Sequence, residues 1–290
     1  MSDISSQLVE QVKEANLAKT PLMIVGGGTK QNHIGRAIEA STGGNTLRMS
    51  GHSGIVSYDP KELVLTARAG TPLREIDAVL TENGQALSFD PPRYKGSATL
   101  GGTLACNPSG PARPWAGSVR DMILGVRLIN GSGEHMRFGG QVMKNVAGYD
   151  VARLQAGALG SLGVLTEISL KVLPQADISM TLVLEMNEAN AITRMNEVAG
   201  TPAPLNGAVW QEDALYLRFT GAASAVADCK KAFGGKALDK AEQFWADVRD
   251  QQLEFFSGDL PLWRFSVHPN AKPLFEGKAT YIDWAGAQRW

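Results

Sequence analysis

The chain has 290 residues, enough for one large domain or two medium ones around a real core. Apolar residues make up 43% and charged residues 20%, and the net charge is -1, so no overall field draws it to nucleic acid or to an anionic membrane. Two cysteines, Cys106 and Cys229, are too few to ligate an iron–sulfur cluster or a four-thiolate zinc, and they are not a secreted disulfide framework. That usage points to a reducing cytoplasm.

In chain order, Ile4, Leu8, Val12 and Ala15 recur at helical spacing and predict an amphipathic helix over 4–18. The polar start of that helix lacks the apolar segment of a signal peptide, and no run approaches the ~18 apolar residues of a membrane span. Pro21 ends the helix, and 22–25 reads as a buried strand entering a turn of three glycines. Strands are predicted at 55–58 and 63–67, joined through Asp59-Pro60. Thr71 is expected to cap a helix with Pro72 at its first position, Leu73, Ile76 and Leu80 on its buried face and Gly84 at its end.

Residues 91–120 are dense in Gly, Pro, Ser and Thr yet poor in charge, as expected of backbone that packs closely on something. A hairpin follows, 123–129 with 135–138, turning at Asn130-Gly131-Ser132-Gly133. A short helix is expected within 146–155. Segment 164–172 alternates as a strand, with Ile168, Leu170 and Val172 on one face and Glu167, Ser169 and Lys171 on the other. Beyond Pro174 glycine thins out. Strand 178–186, helix 189–199, strands 207–211 and 214–219, helix 222–233, a helical stretch at 240–255 and strands 262–267 and 279–284 then give a β-α-β-β-α-β core.

The chemistry starts at Gly26, Gly27, Gly28, Thr29 and Lys30. Successive glycines let backbone N–H groups converge on one spot, a nest that suits a pyrophosphate; a plain tight turn is the alternative. The run is neither a P-loop nor G-x-G-x-x-G. Further glycine blocks lie at 96–110, 117–121, 144–150 and 157–164.

Blocks 26–29, 98–110 and 157–167, in this order, resemble the FAD-binding lobe of the vanillyl-alcohol oxidase (PCMH-type) flavoproteins. The segment V-M-K-N-V-A-G-Y-D-V-A-R-L at 142–154 narrows the resemblance to the FAD-binding E-type subunits of bacterial glycolate oxidases, paralogues of the catalytic D-type subunits. The fold this implies is α+β: a PCMH-type FAD-binding domain of two α+β subdomains over 1–174, then a ferredoxin-like α/β cap domain over 175–290.

By the same resemblance FAD is held non-covalently, with its pyrophosphate on Gly26, Gly27, Gly28, Thr29 and Lys30. Thr99, Gly101, Gly102, Ser109 and Gly110 would line the flavin and phosphate run. Asp121, Gly163 and Val164 would meet the ends of the cofactor, and Pro91 would form the bend near the ring. The chain departs from the family pattern in four places. No Arg precedes the triple glycine, no His stands directly behind it, Leu159 replaces a Glu common in catalytic relatives, and Ser161 replaces Thr.

Hydroxy-acid oxidation needs a base beside the flavin. The four histidines, His33, His52, His135 and His268, have no partner at i+4, and no G-D-G-N-x-H-type segment exists. The resemblance therefore implies a subunit that assists conversion of glycolate to glyoxylate beside a catalytic flavin subunit and a separate iron–sulfur subunit. It would be cytoplasmic, reaching a membrane only through those partners. A stand-alone FAD-dependent 2-hydroxy-acid dehydrogenase and an assembly subunit with a vestigial flavin site are the alternatives. The short run beyond 280–284 raises the expectation of a truncated C-terminus.

Overall fold

The structure, a computed structural model, describes residues 3–30, 45–94, 96–140, 148–275 and 280–290. His33 and the first part of the 142–154 segment lie outside the described residues. The chain divides into two compact units, Met1–Pro108 with Ser118–Gln175, and Ser109–Gly117 with Ala176–Trp290.

In the first unit α1 (Ser5–Leu17) buries Leu8, Val12 and Ala15. β1 (Leu22–Val25) pairs in parallel with β2 (Asn45–Arg48). β3 (Ile55–Asp59) and β4 (Val64–Arg68) are joined by a turn in which Asp59 Oδ1 accepts the N–H groups of Lys61 and Glu62.

α2 (Leu73–Glu82) buries Leu73, Ile76 and Leu80, as the spacing predicts, and Gly84 past its end takes φ +63°. Its start is one residue later than expected. Pro72 is the extended N-cap residue (ψ 139°), and Thr71 does not cap the helix. The Thr71 hydroxyl instead accepts the Gly54 N–H at 2.9 Å and donates to the Gly54 carbonyl at 3.2 Å, a buried link that wins over the cap.

β5 (Gln85–Ala86) leads to α3 (Leu100–Cys106), whose Thr99 cap hydroxyl accepts the Gly102 N–H. α4 (Arg113–Ala116) belongs to the second unit. α5 (Val119–Met122) starts on a Ser118–Asp121 capping box. β6 (Ile123–Ile129) and β7 (His135–Gly139) form the expected hairpin, its turn held by Asn130 Oδ1 accepting from Ser132 and Glu134 N–H. α6 (Val151–Leu154) is a single turn capped by Asp150.

β8 (Val164–Lys171) completes a five-stranded antiparallel sheet in the order β3-β4-β8-β6-β7, and β9 (Leu173–Pro174) pairs with β5. β8 sits between β4 and β6, so both of its edges are paired, and Ser169, on the face opposite Ile168 and Leu170, is buried as well. Its hydroxyl lies 2.8 Å from that of Thr66, which satisfies both groups without water. Leu65, Ile76, Leu100, Leu104, Ile168 and Leu170 are fully buried in the core of this unit. Each contributes roughly 1.5–3 kcal/mol over exposure.

In the second unit β10 (Ile178–Glu185), α7 (Glu188–Ala199), β11 (Leu205–Gln211), β12 (Ala214–Gly221), α8 (Ala223–Phe233) and β13 (Lys236–Ala237) follow one another. The strands lie in the order β13-β10-β12-β11, fourth-first-third-second, and neighbours are antiparallel, a β-α-β-β-α-β pattern whose fourth strand is the unpredicted two-residue β13 and not the expected strand at 262–267. Ile192, Met195 and Val198 of α7 and Val226 of α8 fill this core, with Phe233 packed against it.

The expected helical stretch at 240–255 is shorter: α9 (Ala241–Asp250) ends where Gln251 turns left-handed (φ 54°), and a 3-10 turn, Glu254–Phe256, follows. β14 (Phe265–Ser266), β15 (Ile282–Asp283) and β16 (Gln288–Arg289) extend the sheet beyond β11, each with only two residues. The last predicted strand stops at Asp283 because Trp284 and Ala285 adopt positive φ, 55° and 52°. Among the described residues no helix is long and apolar enough to cross a membrane.

Candidate functional site

The first unit contains a cavity of about 190 Å³. The end of β1 supplies Met23, Ile24 and Val25, and the following turn supplies Gly26, Gly27, Gly28, Thr29 and Lys30. Thr99, Gly101, Gly102, Ala105 and Cys106 line it from the start and face of α3, and Leu159, Gly160, Gly163 and Leu165 from the β8 approach. Met49 and Ala69 close it. The volume is below the ~300 Å³ of a drug-sized site, so it takes one stretch of a dinucleotide rather than all of it.

Two neighbouring glycines meet different constraints. A Cβ on Gly27 would run into the Ser97 backbone carbonyl, so this turn lies against the 96–99 segment as only glycine allows. Gly28 has φ +67°, with open space where a Cβ would stand. Thr99 is 4% exposed, and its Oγ1 accepts the Gly102 N–H at 3.3 Å. The Gly101 N–H is spent on the Ala69 carbonyl at 2.7 Å, which ties the start of α3 to the end of β4.

Lys30 is the buried cation of this cavity, 5% exposed, with Nζ 5.5 Å from the Tyr94 ring centroid. Burial pushes the Cys106 thiol up, and the Lys30 charge opposes that shift. A buried ammonium beside a glycine turn and a small-residue helix start fits an anionic phosphate group. The apolar wall of Met23, Ile24, Leu159 and Leu165 fits the uncharged parts of a dinucleotide.

Of the residues singled out in the sequence, Gly26, Gly27, Gly28, Thr29, Lys30, Thr99, Gly101, Gly102 and Gly163 come together at this cavity. The others do not line it. Pro91 is buried, and its carbonyl accepts from Arg93. Asp121 Oδ2 takes the Ser118 N–H at 2.8 Å and the Ser118 hydroxyl at 3.0 Å. Val164 is packed into the core at the start of β8. Ser109 and Gly110 belong to the second unit, where the Ser109 hydroxyl accepts from Arg113 and the Gly110 carbonyl from Trp284 Nε1. Met49 and Ala69 were not singled out; they carry no polar signal and reach the cavity only through the β2 and β4 ends.

No described histidine lines the cavity. His52 is 1% exposed, its Nδ1 accepts the Ile4 N–H at 3.2 Å, and burial pushes its pKa down. His135 Nε2 lies 2.9 Å from the Thr166 hydroxyl, and burial also lowers its pKa. His268 is exposed beside Asn270. Among the described residues no group of His, Cys, Asp and Glu is arranged to hold a metal.

Comparison with known proteins matches residues 5–139 to an FAD binding domain family. The glycolate oxidase subunit GlcE of Escherichia coli (strain K12) is 47% identical over 288 residues, covering 99% of this chain and 80% of that protein. The glycolate oxidase subunit GlcD of Bacillus subtilis (strain 168) is 30% identical over 165 residues, covering 57% of this chain and only 34% of GlcD. A solved alkyldihydroxyacetonephosphate synthase superposes with a TM-score of 0.68 at 18% identity, over 85% of this chain and 52% of the synthase, which shows the shared fold. The cavity built from the glycine blocks lies within this FAD-binding fold, and the chain belongs to the family of glycolate oxidase subunit GlcE, FAD-dependent oxidoreductase proteins.

Proposed function

We propose that this chain is the FAD-binding subunit of a glycolate oxidase assembly, in which a GlcD-type flavin subunit performs the hydroxy-acid chemistry. The observation that carries this reading is a cavity furnished for a dinucleotide, with a buried Lys30, and no described histidine on its wall.

The backbone of Gly26, Gly27 and Gly28, the Thr29 hydroxyl and the Lys30 ammonium would hold the pyrophosphate. Thr99, Gly101, Gly102 and Gly163 would keep the adjoining walls thin enough for the cofactor to pass. When bound, FAD supplies an acceptor for the hydride of a 2-hydroxy acid. Residues 1–174 would act as the FAD-binding domain and 175–290 as its cap. An iron–sulfur subunit is a third partner in this reading, because Cys106 and Cys229 alone cannot ligate a cluster. The assembly works at the cytoplasmic side, with membrane contact through partners.

The test is the visible spectrum of the purified chain, before and after titration with FAD and then with anaerobic glycolate. The reading expects flavin bands that stay oxidised with glycolate alone and bleach when the GlcD-type subunit is added. A protein that takes up no FAD ends it, and bleaching by this chain alone transfers the chemistry to it.

A further inference from the structure

The second unit carries an apolar groove of about 1110 Å³. Its floor is aromatic: the Phe256 ring centroid lies 4.9 Å from that of the buried Tyr281 and 5.4 Å from that of Trp290. Over this floor, within four residues of chain, stand Leu260 (89% exposed), Leu262 (47%) and Trp263 (70%). Large apolar side chains this close together and this exposed mark an interaction surface rather than ordinary scatter.

The rim decides what can sit there. Glu212, Asp213 and Glu254 line the groove, Asp259 lies in the same loop, and no Lys, Arg or His lines it among the described residues. Among the described residues Arg264 is a nearby cation, its guanidinium 5.7 Å from the Trp290 ring centroid. The face is therefore apolar with a net acidic border. A 2-hydroxy acid is an anion, and so is the surface of an acidic membrane; both are repelled. A second copy placed groove to groove would set carboxylates against carboxylates. The complementary occupant is a protein segment with large apolar side chains flanked by Lys or Arg.

We propose that this groove docks another subunit of the oxidase assembly, the GlcD-type subunit, through such a basic-flanked apolar segment. This rests on the assembly proposed above. Leu260 and Trp263 insert as apolar anchors, and the carboxylates steer and orient the partner.

The experiment co-expresses the full chain with a tagged GlcD-type subunit and measures both the chain recovered with the tag and its bound flavin. Two variants are compared with wild type: Leu260→Asp with Trp263→Asp, and Asp213→Asn with Glu254→Lys. Asn tolerates the left-handed backbone at 213 (φ 56°), and the second pair leaves every apolar residue in place.

The proposal expects at least a tenfold loss of recovered complex in both variants with FAD content unchanged. It also expects weaker wild-type association at 500 mM than at 50 mM salt. If both variants are recovered like wild type, the groove assignment is overturned and the assembly reading stands. If the wild-type chain binds FAD but is not recovered with the partner, the assembly reading falls and the groove assignment with it. Self-association in light scattering, or binding to phosphatidylcholine vesicles, that disappears in the Leu260/Trp263 variant would also overturn it.

Discussion

Gly27 and Gly28 are neighbours that answer substitution in opposite ways. Gly27→Ala pushes a methyl into the Ser97 carbonyl, so both the turn and the 96–99 segment must shift; it is expected to lower the melting temperature as well as FAD occupancy. Gly28→Asp places its Cβ in open space, and Asp tolerates φ +67° better than most residues. It should leave the fold within a few tenths to about 1 kcal/mol of wild type, while bringing a carboxylate to the anion cradle and abolishing flavin retention. Absorbance at 450 nm with a denaturant titration separates the two outcomes.

Lys30→Gln removes the buried cation and should weaken FAD binding by ~10–100-fold, the loss of a charge-assisted hydrogen bond of about 1.5–3 kcal/mol. Fluorescence titration of the apoprotein checks it. His52 sets a pH response. Its folded pKa is below 6.5 because burial disfavours the imidazolium, although the Asp3 carboxylate opposes this. Below pH 6.5 the unfolded chain therefore binds the proton first, and stability is lost from there downward until the folded His52 also titrates. Asp3, lowered to about 2 chiefly by the Ser5 backbone N–H, adds a second loss between pH 3.8 and about 2. Unfolding free energy measured from pH 7.5 to 5 should fall, and less steeply in His52→Gln. An equal slope in the variant contradicts the assignment.

At the scale of elements, the β4–β8 pair is a point where packing overrules alternation. Thr66→Val leaves the Ser169 hydroxyl without its partner in a buried sheet and should cost about 1–3 kcal/mol. Adding Ser169→Ala should recover much of that loss, a coupling that a double-mutant cycle in urea measures. The same element shows what periodicity can and cannot report. Ile168, Leu170 and Val172 announced a strand with an apolar face, but whether Ser169 faced water depended on what packs over the other face of the sheet. α2 was legible from Leu73, Ile76, Leu80 and Gly84. Its first residue was not, because Thr71 had a competing partner in Gly54, 17 positions away. The helical pattern of 240–255 ran past its true end because the backbone break at Gln251 has no Gly or Pro to signal it.

For the whole molecule, FAD binds the folded state and must stabilise it. At a hundredfold excess over Kd the gain is about 2.7 kcal/mol, which for a chain of this size raises the melting temperature by about 4 °C. A thermal scan of apoprotein with and without FAD tests this, and an unmoved transition contradicts a functional site. By itself the sequence made the glycine turn at residues 26–30 legible, and the FAD-binding fold followed from the resemblance that its ordered glycine blocks carry. The turn rests on local chemistry, glycines where backbone must approach, and the individual helices and strands on apolar periods that suit one element only. In the second half the first three strands and both helices of the β-α-β-β-α-β order were legible on the same grounds, while the two-residue fourth strand at 236–237 was not. Only the tertiary structure decided which of the glycine-block residues share a cavity. Thr99 and Gly163 join the turn there, while Asp121 is drawn into capping Ser118 and Ser109 and Gly110 belong to the other unit. It also decided that Met49 and Ala69 complete the wall and that Lys30 is buried. Those outcomes depend on contacts between segments far apart in the chain, and no local pattern encodes which partner a side chain meets.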